Sequence, residues 1–254
     1  MAKSKIEWLK DPITGKPGYT INPVKGLCPV DCKDNQGKSY CYAAGERGLY
    51  KRFKWNPKIR LDKEVPIYGF PPSSKVFIGS TIELFGDWIK KEWLKYIFAN
   101  VRQNPDVTFI FLTKQPLHLP KEFPENCWVG VSATNQQQFD NAVKYLKEVE
   151  ATVKYISFEP LLGRIQITHK FVFRIDLHEA GISWVIIGAQ TPFSIKTVPK
   201  IEWVNEIVEA ADKAGIPVFQ KDNLKPLFTV GLYTTWWGSD DGYGVTLRQE
   251  FPSG

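Results

Sequence analysis

The chain of 254 residues is 43% hydrophobic and 24% charged, which is typical of a globular protein with a large buried core. Its formal net charge of +6 permits an anionic partner without requiring one. No apolar run reaches the roughly 18 residues of a membrane span, and the first residues contain no apolar core of a secretory signal. We therefore expect a cytoplasmic protein without a membrane partner, in a reducing compartment where clustered cysteines bind metal more often than they form disulfides.

Three of the four cysteines lie in one short segment, GLCPVDCKDNQGKSYCYAAGERGLYKRF, residues 26–53. Three residues separate Cys28 from Cys32, and eight residues separate Cys32 from Cys41. Thiols clustered in a loop before a predicted helix at 42–54 are typical of a metal site held by thiolates. The segment therefore predicts a metal centre with three cysteine ligands.

The fourth cysteine, Cys127, could complete a zinc site, because a structural zinc needs four ligands. It begins a predicted strand that reaches Ser132 only on the order of 16 Å further on, so it belongs to the end of the sheet away from the expected site. We expect Cys127 to be a buried core residue. The histidines lie far along the chain, at positions 118, 169 and 178. We favour an iron–sulfur cluster with one open iron, and zinc or redox-active thiols remain alternatives.

From residue 75 onward, short apolar runs alternate with amphipathic helical patterns. The predicted strands are 76–81, 108–113, 127–133, 154–159, 184–189 and 216–221. The predicted helices are 90–104, 135–150 and 201–215, and the proline-rich link 114–126 predicts only a short helix. This alternation favours a mostly parallel sheet, either in an open or closed α/β barrel or in a doubly wound fold.

Polar residues follow each of these strands at the end where ligands bind in parallel α/β folds. They are Ser80, Thr81, Glu83, Thr113, Lys114, Ser132, Thr134, Ser157, Glu159, Gln190, Thr191, Gln220, Lys221 and Asp222. Loops are polar in general, which would explain any single residue in this set. As a set, they predict a shared binding site.

Motifs along almost the whole chain resemble the phage Gp37/Gp68 family (DUF5131), a radical-SAM-like group of three-cysteine proteins. They are KIEW, NPVKGLC, CYA, ELFGDW, VGVSATNQ, SFEPLLGRI, WVIIGA and AGIPVFQK. The resemblance implies a partial (β/α)6 barrel of the radical-SAM type, with six mostly parallel strands, outer helices and a first strand near residues 19–22. It also implies a single domain over residues 1–254. Its parts would be a lead-in at 1–27, a cluster loop and basic helix at 28–60, repeating units at 75–222 and an aromatic extension at 223–254.

The resemblance further implies that Cys28, Cys32 and Cys41 bind a [4Fe-4S] cluster, with Tyr40 as the aromatic residue before the last cysteine. The open iron would bind S-adenosylmethionine (SAM), and an electron donor would supply the electron that cleaves it and starts radical chemistry. The wider radical-SAM superfamily has two residues where this chain has eight between its last two cysteines. The additional residues, KDNQGK, are polar and contain glycine, as a surface turn does.

Polar groups of SAM need partners, and the residues at the strand ends are candidates. Ser80 and Glu83 would accept from the ammonium, Lys221 or Gln190 would bind the carboxylate, Ser132 or Glu159 would bind the ribose, and Tyr42 or Phe158 would pack against the adenine. The alternative for Glu83 and Glu159 is a structural role in ion pairs.

The segment RGLYKRFKWNPKIR, residues 47–60, interleaves basic and aromatic side chains. This pattern suits phosphates and stacked bases, so it predicts a nucleic-acid or nucleotide substrate. The candidate contacts are Arg47, Lys51, Arg52, Lys54 and Trp55. The alternative is a solvated helix face.

Two other classes of function remain open. A non-catalytic iron–sulfur or zinc-binding partner protein of a mobile-element or phage system would need the cysteines but not the polar strand ends. A SAM-independent α/β enzyme would need an acid–base pair such as Glu83 with Lys221.

Overall fold

The computed structural model describes residues 3–34, 36–45, 48–167, 177–191, 197–229 and 246–253. One sheet contains seven strands: β1 (Tyr19–Ile21), β4 (Lys75–Ile78), β5 (Thr108–Thr113), β6 (Cys127–Ser132), β7 (Val153–Phe158), β8 (Trp184–Ile187) and β9 (Val218–Gln220). A second, antiparallel pair is formed by β2 (Val24–Lys25) and β3 (Arg60–Leu61). The helices are α1 (Leu49–Arg52), α2 (Lys91–Arg102), α3 (Gln136–Leu146), α4 (Ile201–Lys213) and α5 (Lys225–Thr229).

The strands of the large sheet follow one another in chain order. Within the described residues the first and last strands do not pair, so the sheet is that of a partial α/β barrel. This confirms the predicted fold class. The sheet has seven strands rather than six, because all six apolar runs form strands in addition to β1, which lies where the family resemblance placed it.

The chain divides into two compact units, and each is described separately below. The first unit comprises Met1–Val131 with Glu148–Lys154, and the second comprises Ser132–Lys147 with Tyr155–Gly254. The expectation of a single domain stays a prediction.

An aromatic core holds the first unit together. Phe98 of α2 contacts Phe111 of β5 and Phe123, with ring centroids 5.8 and 5.2 Å apart. The turn between α2 and β5 is closed by the Asn126 amide, which donates to the carbonyls of Val101, Asn104 and Val107. The apolar face of α2 therefore packs against the sheet. The partly buried Asn126 side chain pairs with backbone carbonyls of the connection between α2 and β5.

The end of α4 is as its sequence predicts, whereas α3 ends at Leu146 rather than at residue 150. The Asn135 side chain accepts from the Gln138 amide at the start of α3. Gly215 follows α4 with φ +67°, a conformation that favours glycine at the end of a helix. The buried face of α4 includes Ile207 and Ala210, as its periodicity indicated.

The C-terminal residues cover the outer edge of β9. Gln220 donates from its amide to the Arg248 carbonyl at 2.6 Å, and Glu250 donates to the Val218 carbonyl at 3.0 Å. Phe251 then stacks on Trp184, with the centroids 5.7 Å apart. An edge that would otherwise be open is thereby paired. Most of the aromatic extension expected at 223–254, including the tryptophans at 236 and 237, lies outside the described residues.

The helix predicted at 42–54 is wrong in extent, because only α1 is helical there. Gly45 and Gly48 lie in the first part of this segment, where the backbone forms turns instead. Glycine disfavours a helix interior, and a Cβ at Gly48 would lie 2.4 Å from the Ala43 carbonyl oxygen. No helix within the described ranges is long and apolar enough to cross a membrane.

We predict that Lys75 makes stability depend on pH in the alkaline range. Its ammonium lies over the Trp128 ring, 5.5 Å from the centroid, and burial lowers its pKa from 10.5 to about 8. Between these values the unfolded chain binds the proton and the folded chain does not, so stability rises with pH. The Lys75→Met variant should lose this rise in the free energy of unfolding, measured by urea denaturation from pH 8 to about 10.5. Lys91→Met, on an exposed part of α2, is the control, and parallel curves for wild type and Lys75→Met would contradict the prediction.

Candidate functional site

A hairpin brings Cys32 and Cys41, the last two cysteines of the segment 26–53, together. The Tyr40 amide donates to the Cys32 carbonyl at 3.0 Å, and the Asp34 amide donates to the Lys38 carbonyl at 2.8 Å. The Asp34 carboxylate also accepts from the Lys38 amide at 2.9 Å, which is a common turn interaction. The described residues between Cys32 and Cys41 therefore fold back on themselves, which brings the two thiols close enough for each to influence the pKa of the other.

The two neighbouring thiols titrate as a pair. Their interaction raises the pKa of Cys32 and lowers the pKa of Cys41. Amides of Ala44 and Ala43 and the charge of Lys114 also lower the pKa of Cys41. These interactions favour the thiolate of Cys41, the form that binds metal.

Cys28 is attached to the loop that follows β4, residues 80–83, which we call the β4 exit loop. The Glu83 amide donates to the Cys28 sulfur at 3.4 Å. The Tyr50 hydroxyl accepts from the Cys28 amide at 3.2 Å and donates to the Thr81 carbonyl. Burial raises the pKa of the Cys28 thiol, and the Glu83 hydrogen bond opposes this rise.

The same loop holds Tyr42. The Tyr42 hydroxyl donates to the Ser80 carbonyl, and burial of that hydroxyl raises its pKa to about 12 although 54% of the residue is exposed. Asn22, directly after β1, also binds the loop: its side chain donates to the Ser80 hydroxyl at 3.2 Å and accepts from the Thr81 amide at 3.0 Å. The loop is thus bonded to the end of β1 on one side and to the cysteine segment on the other.

Glu83 fixes the β4 exit loop from inside. Its carboxylate is buried and accepts three hydrogen bonds, from the Phe85 amide at 3.0 Å, the Thr113 hydroxyl at 2.7 Å and the Lys114 amide at 2.8 Å. These contacts give Glu83 a positioning role for its own amide, which donates to Cys28. The expectation that its carboxylate binds the ammonium of a cofactor stays a prediction.

Sequence reasoning missed Tyr50 and Asn22. It includes Thr113 among the polar strand ends but does not indicate its partner. Their partners lie 22 to 59 residues away in the chain, so no local pattern indicates them.

The donor set suits a thiolate-bound cluster. Within the part of the chain that the structure describes, no three Cys, His, Asp or Glu side chains converge as the ligands of one metal ion would. An iron–sulfur cluster binds each thiolate to a different iron, so its cysteines need not meet at one point. Amides of Glu83, Ala43 and Ala44 also reach the sulfurs, as hydrogen bonds do at such clusters. The residues present therefore fit the group, with Tyr40 half-buried beside Cys41.

Cys127 is a residue of the sheet and takes no part in the contacts described above for the cysteine segment. It is fully buried in β6, paired in register with Phe109 of β5, and burial raises its pKa to about 12. The prediction that it is a core residue is confirmed.

The remaining candidates for cofactor binding lie in the second unit. Lys221 forms an ion pair with Glu159, and Ser132 and Gln190 are buried. The expectation that these four residues contact the same cofactor as Cys28 and its neighbours stays a prediction.

The basic segment is only partly available to a ligand. Lys51, Arg52 and Lys54 are exposed, whereas Trp55 is half-buried against the Tyr50 ring, with the centroids 5.7 Å apart. Trp55 is therefore packed on one side. The guanidinium of Arg52 lies over the exposed Phe53 ring, 5.4 Å from its centroid. Arg47 lies outside the described residues.

Fold and site together define an α/β protein of the partial-barrel type, with a three-cysteine segment hydrogen-bonded to the loop after its second sheet strand. The chain belongs to the family described as "protein of unknown function (DUF5131)", the phage Gp37/Gp68 family, whose family model matches residues 3–225. The match includes all seven sheet strands and the three cysteines of the segment. No curated protein and no solved structure matches the chain.

We predict that the Tyr50 hydroxyl stabilises the cysteine segment. Tyr50→Phe leaves the Cys28 amide and the Thr81 carbonyl without this partner, which should lower the free energy of unfolding by about 1–3 kcal/mol. Urea denaturation measures the change. Tyr68→Phe removes the same group from a residue that is 64% exposed and should have no effect. Equal losses in the two variants would count against the role of Tyr50.

The basic segment leads to a prediction on nucleic-acid binding. If Arg52 and Lys54 contact phosphates, replacing both with alanine should reduce the slope of log K against log salt by about 2 on duplex DNA. Fluorescence anisotropy with single-stranded and duplex DNA and RNA at several salt concentrations measures it. Lys91→Ala with Lys95→Ala, on the exposed side of α2, is the matched control. Absence of binding at low salt, or binding without a salt slope, would exclude a nucleic-acid contact here.

Proposed function

We propose that the protein is a radical-SAM-type enzyme in which Cys28, Cys32 and Cys41 hold a [4Fe-4S] cluster. The observation that supports this most is the hairpin that brings Cys41 beside Cys32 despite the long spacer. The spacing between Cys32 and Cys41 differs from the superfamily pattern. The hairpin supports the proposal, because the described residues of the insert fold back and leave Cys41 beside Cys32.

The chain's own residues prepare the sulfurs in two ways. The neighbouring Cys32 thiol and the amides of Ala43 and Ala44 lower the pKa of Cys41 and so favour its thiolate. The Glu83 amide donates to Cys28, and hydrogen bonds to cluster sulfurs are one means by which a protein sets the reduction potential. When bound, the cluster supplies the electron that cleaves SAM and starts radical chemistry. The protein's contribution is to bind, orient and shield.

The exposed ring of Tyr42 lies next to this site, with only its hydroxyl tied to the β4 exit loop. An aromatic face held at a fixed position beside Cys41 suits a flat group such as the adenine of SAM. Tyr42 is therefore our candidate for the residue that packs against the cofactor base.

Anaerobic reconstitution with iron and sulfide tests the proposal. The expected result is about four irons and four sulfides per chain, an optical band of a [4Fe-4S] cluster and an EPR spectrum that changes when SAM is added. A cluster whose EPR spectrum does not change when SAM is added would instead indicate a non-catalytic iron–sulfur protein. Tight binding of zinc with no cluster assembly would indicate the zinc alternative.

We predict that Cys41→Ala abolishes cluster retention during anaerobic purification, whereas Cys127→Ala retains the wild-type iron content. The two variants remove the same group, one from the cysteine segment and one from the core of β6. Iron and sulfide analysis of the purified proteins measures the outcome. Equal iron content in the two variants would refute the assignment of ligands.

A further inference from the structure

A cleft of about 770 Å³ lies in the first unit, between the start of α2 and the chain at the end of β3. Its volume is that of a small-molecule binding site. The lining residues come from two short segments: Arg60, Leu61, Asp62, Lys63 and Glu64 on one side, and Glu92, Trp93 and Tyr96 on the other. The cleft is therefore separate from the three cysteines and from the polar strand ends.

Contacts within the first unit hold the two walls of this cleft in place. The Tyr96 hydroxyl donates to the Lys63 carbonyl at 3.5 Å, and the Lys63 ammonium lies over the Tyr96 ring, 5.5 Å from its centroid. Asp62 forms an ion pair with Lys25 of β2 at 2.6 Å, and its amide donates to the Pro23 carbonyl at 2.7 Å. The cleft is thus formed before any ligand binds.

Charges of both signs in the cleft are available to a ligand. Asp62 is paired with Lys25, whereas no described residue forms an ion pair or a hydrogen bond with the carboxylates of Glu64 and Glu92. The Arg60 guanidinium donates to the Lys58 carbonyl at 3.1 Å, which uses one of its five N–H groups. Water can solvate any one of these groups. A single ligand for all of them must offer donors to the carboxylates and acceptors to the guanidinium.

The half-buried ring of Trp93 adds a second requirement, because a flat group can stack on it. Trp93 lies three residues before Tyr96 on α2, so the two rings share a side of the helix. The Lys90 ammonium lies over one face of the Trp93 ring, 5.7 Å from its centroid, so a flat ligand would stack on the opposite face. Aromatic side chains are the usual stacking partners of unpaired bases.

We propose that this cleft binds an unpaired guanine of a single-stranded nucleic acid. The Watson–Crick edge of guanine has two adjacent donors, N1–H and N2–H, which match the two oxygens of one carboxylate. Its O6 and N7 are acceptors, for which arginine is the commonest partner. The other bases place an acceptor beside the donor on their Watson–Crick edge, and a carboxylate would repel it. Guanine alone thus suits Trp93, Arg60 and a carboxylate of Glu64 or Glu92 together.

The chain that leads to the cleft suits the phosphates on either side of this base. Lys54 and Lys58 are exposed, and Lys58 lies two residues before Arg60. The free carboxylates would repel a phosphate inside the cleft, so the backbone of the ligand belongs outside it, along these cations. A duplex does not fit, because its bases are already paired and stacked. The inference does not depend on the cysteines or on a cluster.

Fluorescence anisotropy with the full-length protein tests the proposal. The probes are labelled oligouridines of about ten nucleotides, with uracil, guanine, adenine or cytosine at one central position. The guanine oligomer should bind about tenfold more tightly than the other three, as one bidentate base contact gives. Equal affinities for the four oligomers would overturn the proposal, and so would an absence of binding at low salt.

The carboxylates give a readout that a purely structural role would not change. In the double variant Glu64→Gln, Glu92→Gln, the preference for guanine over adenine should fall about fivefold or more. Affinity for oligouridine should rise, because two negative charges are lost. Glu122→Gln with Glu125→Gln removes the same charge from exposed positions outside the cleft and should keep the preference. An unchanged preference in the first double variant would refute the proposal.

The stacking contact has its own variant. Trp93→Leu removes the ring and should weaken binding of the guanine oligomer by about tenfold. Tyr68→Leu removes a ring that is 64% exposed and outside the cleft, and it should leave the affinity unchanged. Wild-type affinity in Trp93→Leu would contradict stacking in the cleft.

Guanosine monophosphate separates a strand from a free nucleotide. It should compete more weakly than the guanine oligomer, because it lacks the flanking phosphates. Equal competition by the two would overturn the assignment to a strand. Cys41→Ala should bind the guanine oligomer as wild type does, so a failure of cluster assembly leaves this result intact. Loss of the guanine preference in that variant would contradict a site formed by the cleft residues alone.

Discussion

The buried carboxylate of Glu83 is the constraint on which the arrangement of the cysteines depends. A carboxylate inside a protein is tolerated only when its oxygens accept hydrogen bonds, and here the chain supplies three donors from Phe85, Thr113 and Lys114. The cost of burying the charge is thereby offset. In return, the loop that carries Glu83 is tied to the end of β5 and adopts a single conformation.

A fixed β4 exit loop gives the cysteine segment something to bind. That segment has little regular structure of its own, because α1 is only 4 residues long. Its position is set instead by side chains that reach the loop backbone. Tyr42 and Tyr50 donate to two successive carbonyls, and the Glu83 amide donates to the Cys28 sulfur. The hydrogen bonds of one loop thus hold both Cys28 and the chain around Cys41, and the hairpin carries Cys32 with it.

The two ends of the strands in the second unit differ in packing. Toward the N-terminal ends of its strands, the rings of Tyr155, Trp184 and Phe219 pack against one another and against Phe251. Toward the C-terminal ends, the same face carries the Glu159–Lys221 pair and polar atoms without partners. The aromatic contacts lie toward the N-terminal ends of the strands, and the unpaired atoms of Ser157 and Gln190 are enclosed toward the C-terminal ends. This division is common in α/β proteins, because ligands bind at the C-terminal ends of parallel strands.

The amino-acid sequence by itself determined the α/β class, the six strands from β4 to β9, the burial of Cys127 and the turn character of the residues between Cys32 and Cys41. These features follow from local patterns: apolar runs, helical periodicity and turn-forming residues. Residue patterns also carried the family membership, since its motifs are contiguous.

Only the tertiary structure decided which polar groups meet. Glu83 pairs with a hydroxyl 30 residues away, and Lys221 pairs with a carboxylate 62 residues away. Tyr50 looked like a stacking residue of a basic surface, yet its hydroxyl is bonded beside Cys28. Hydrogen-bond partners are selected by distance in space, which depends on how every intervening strand and helix packs. A local pattern records the polarity of a residue, whereas the partner that satisfies it is set by the fold.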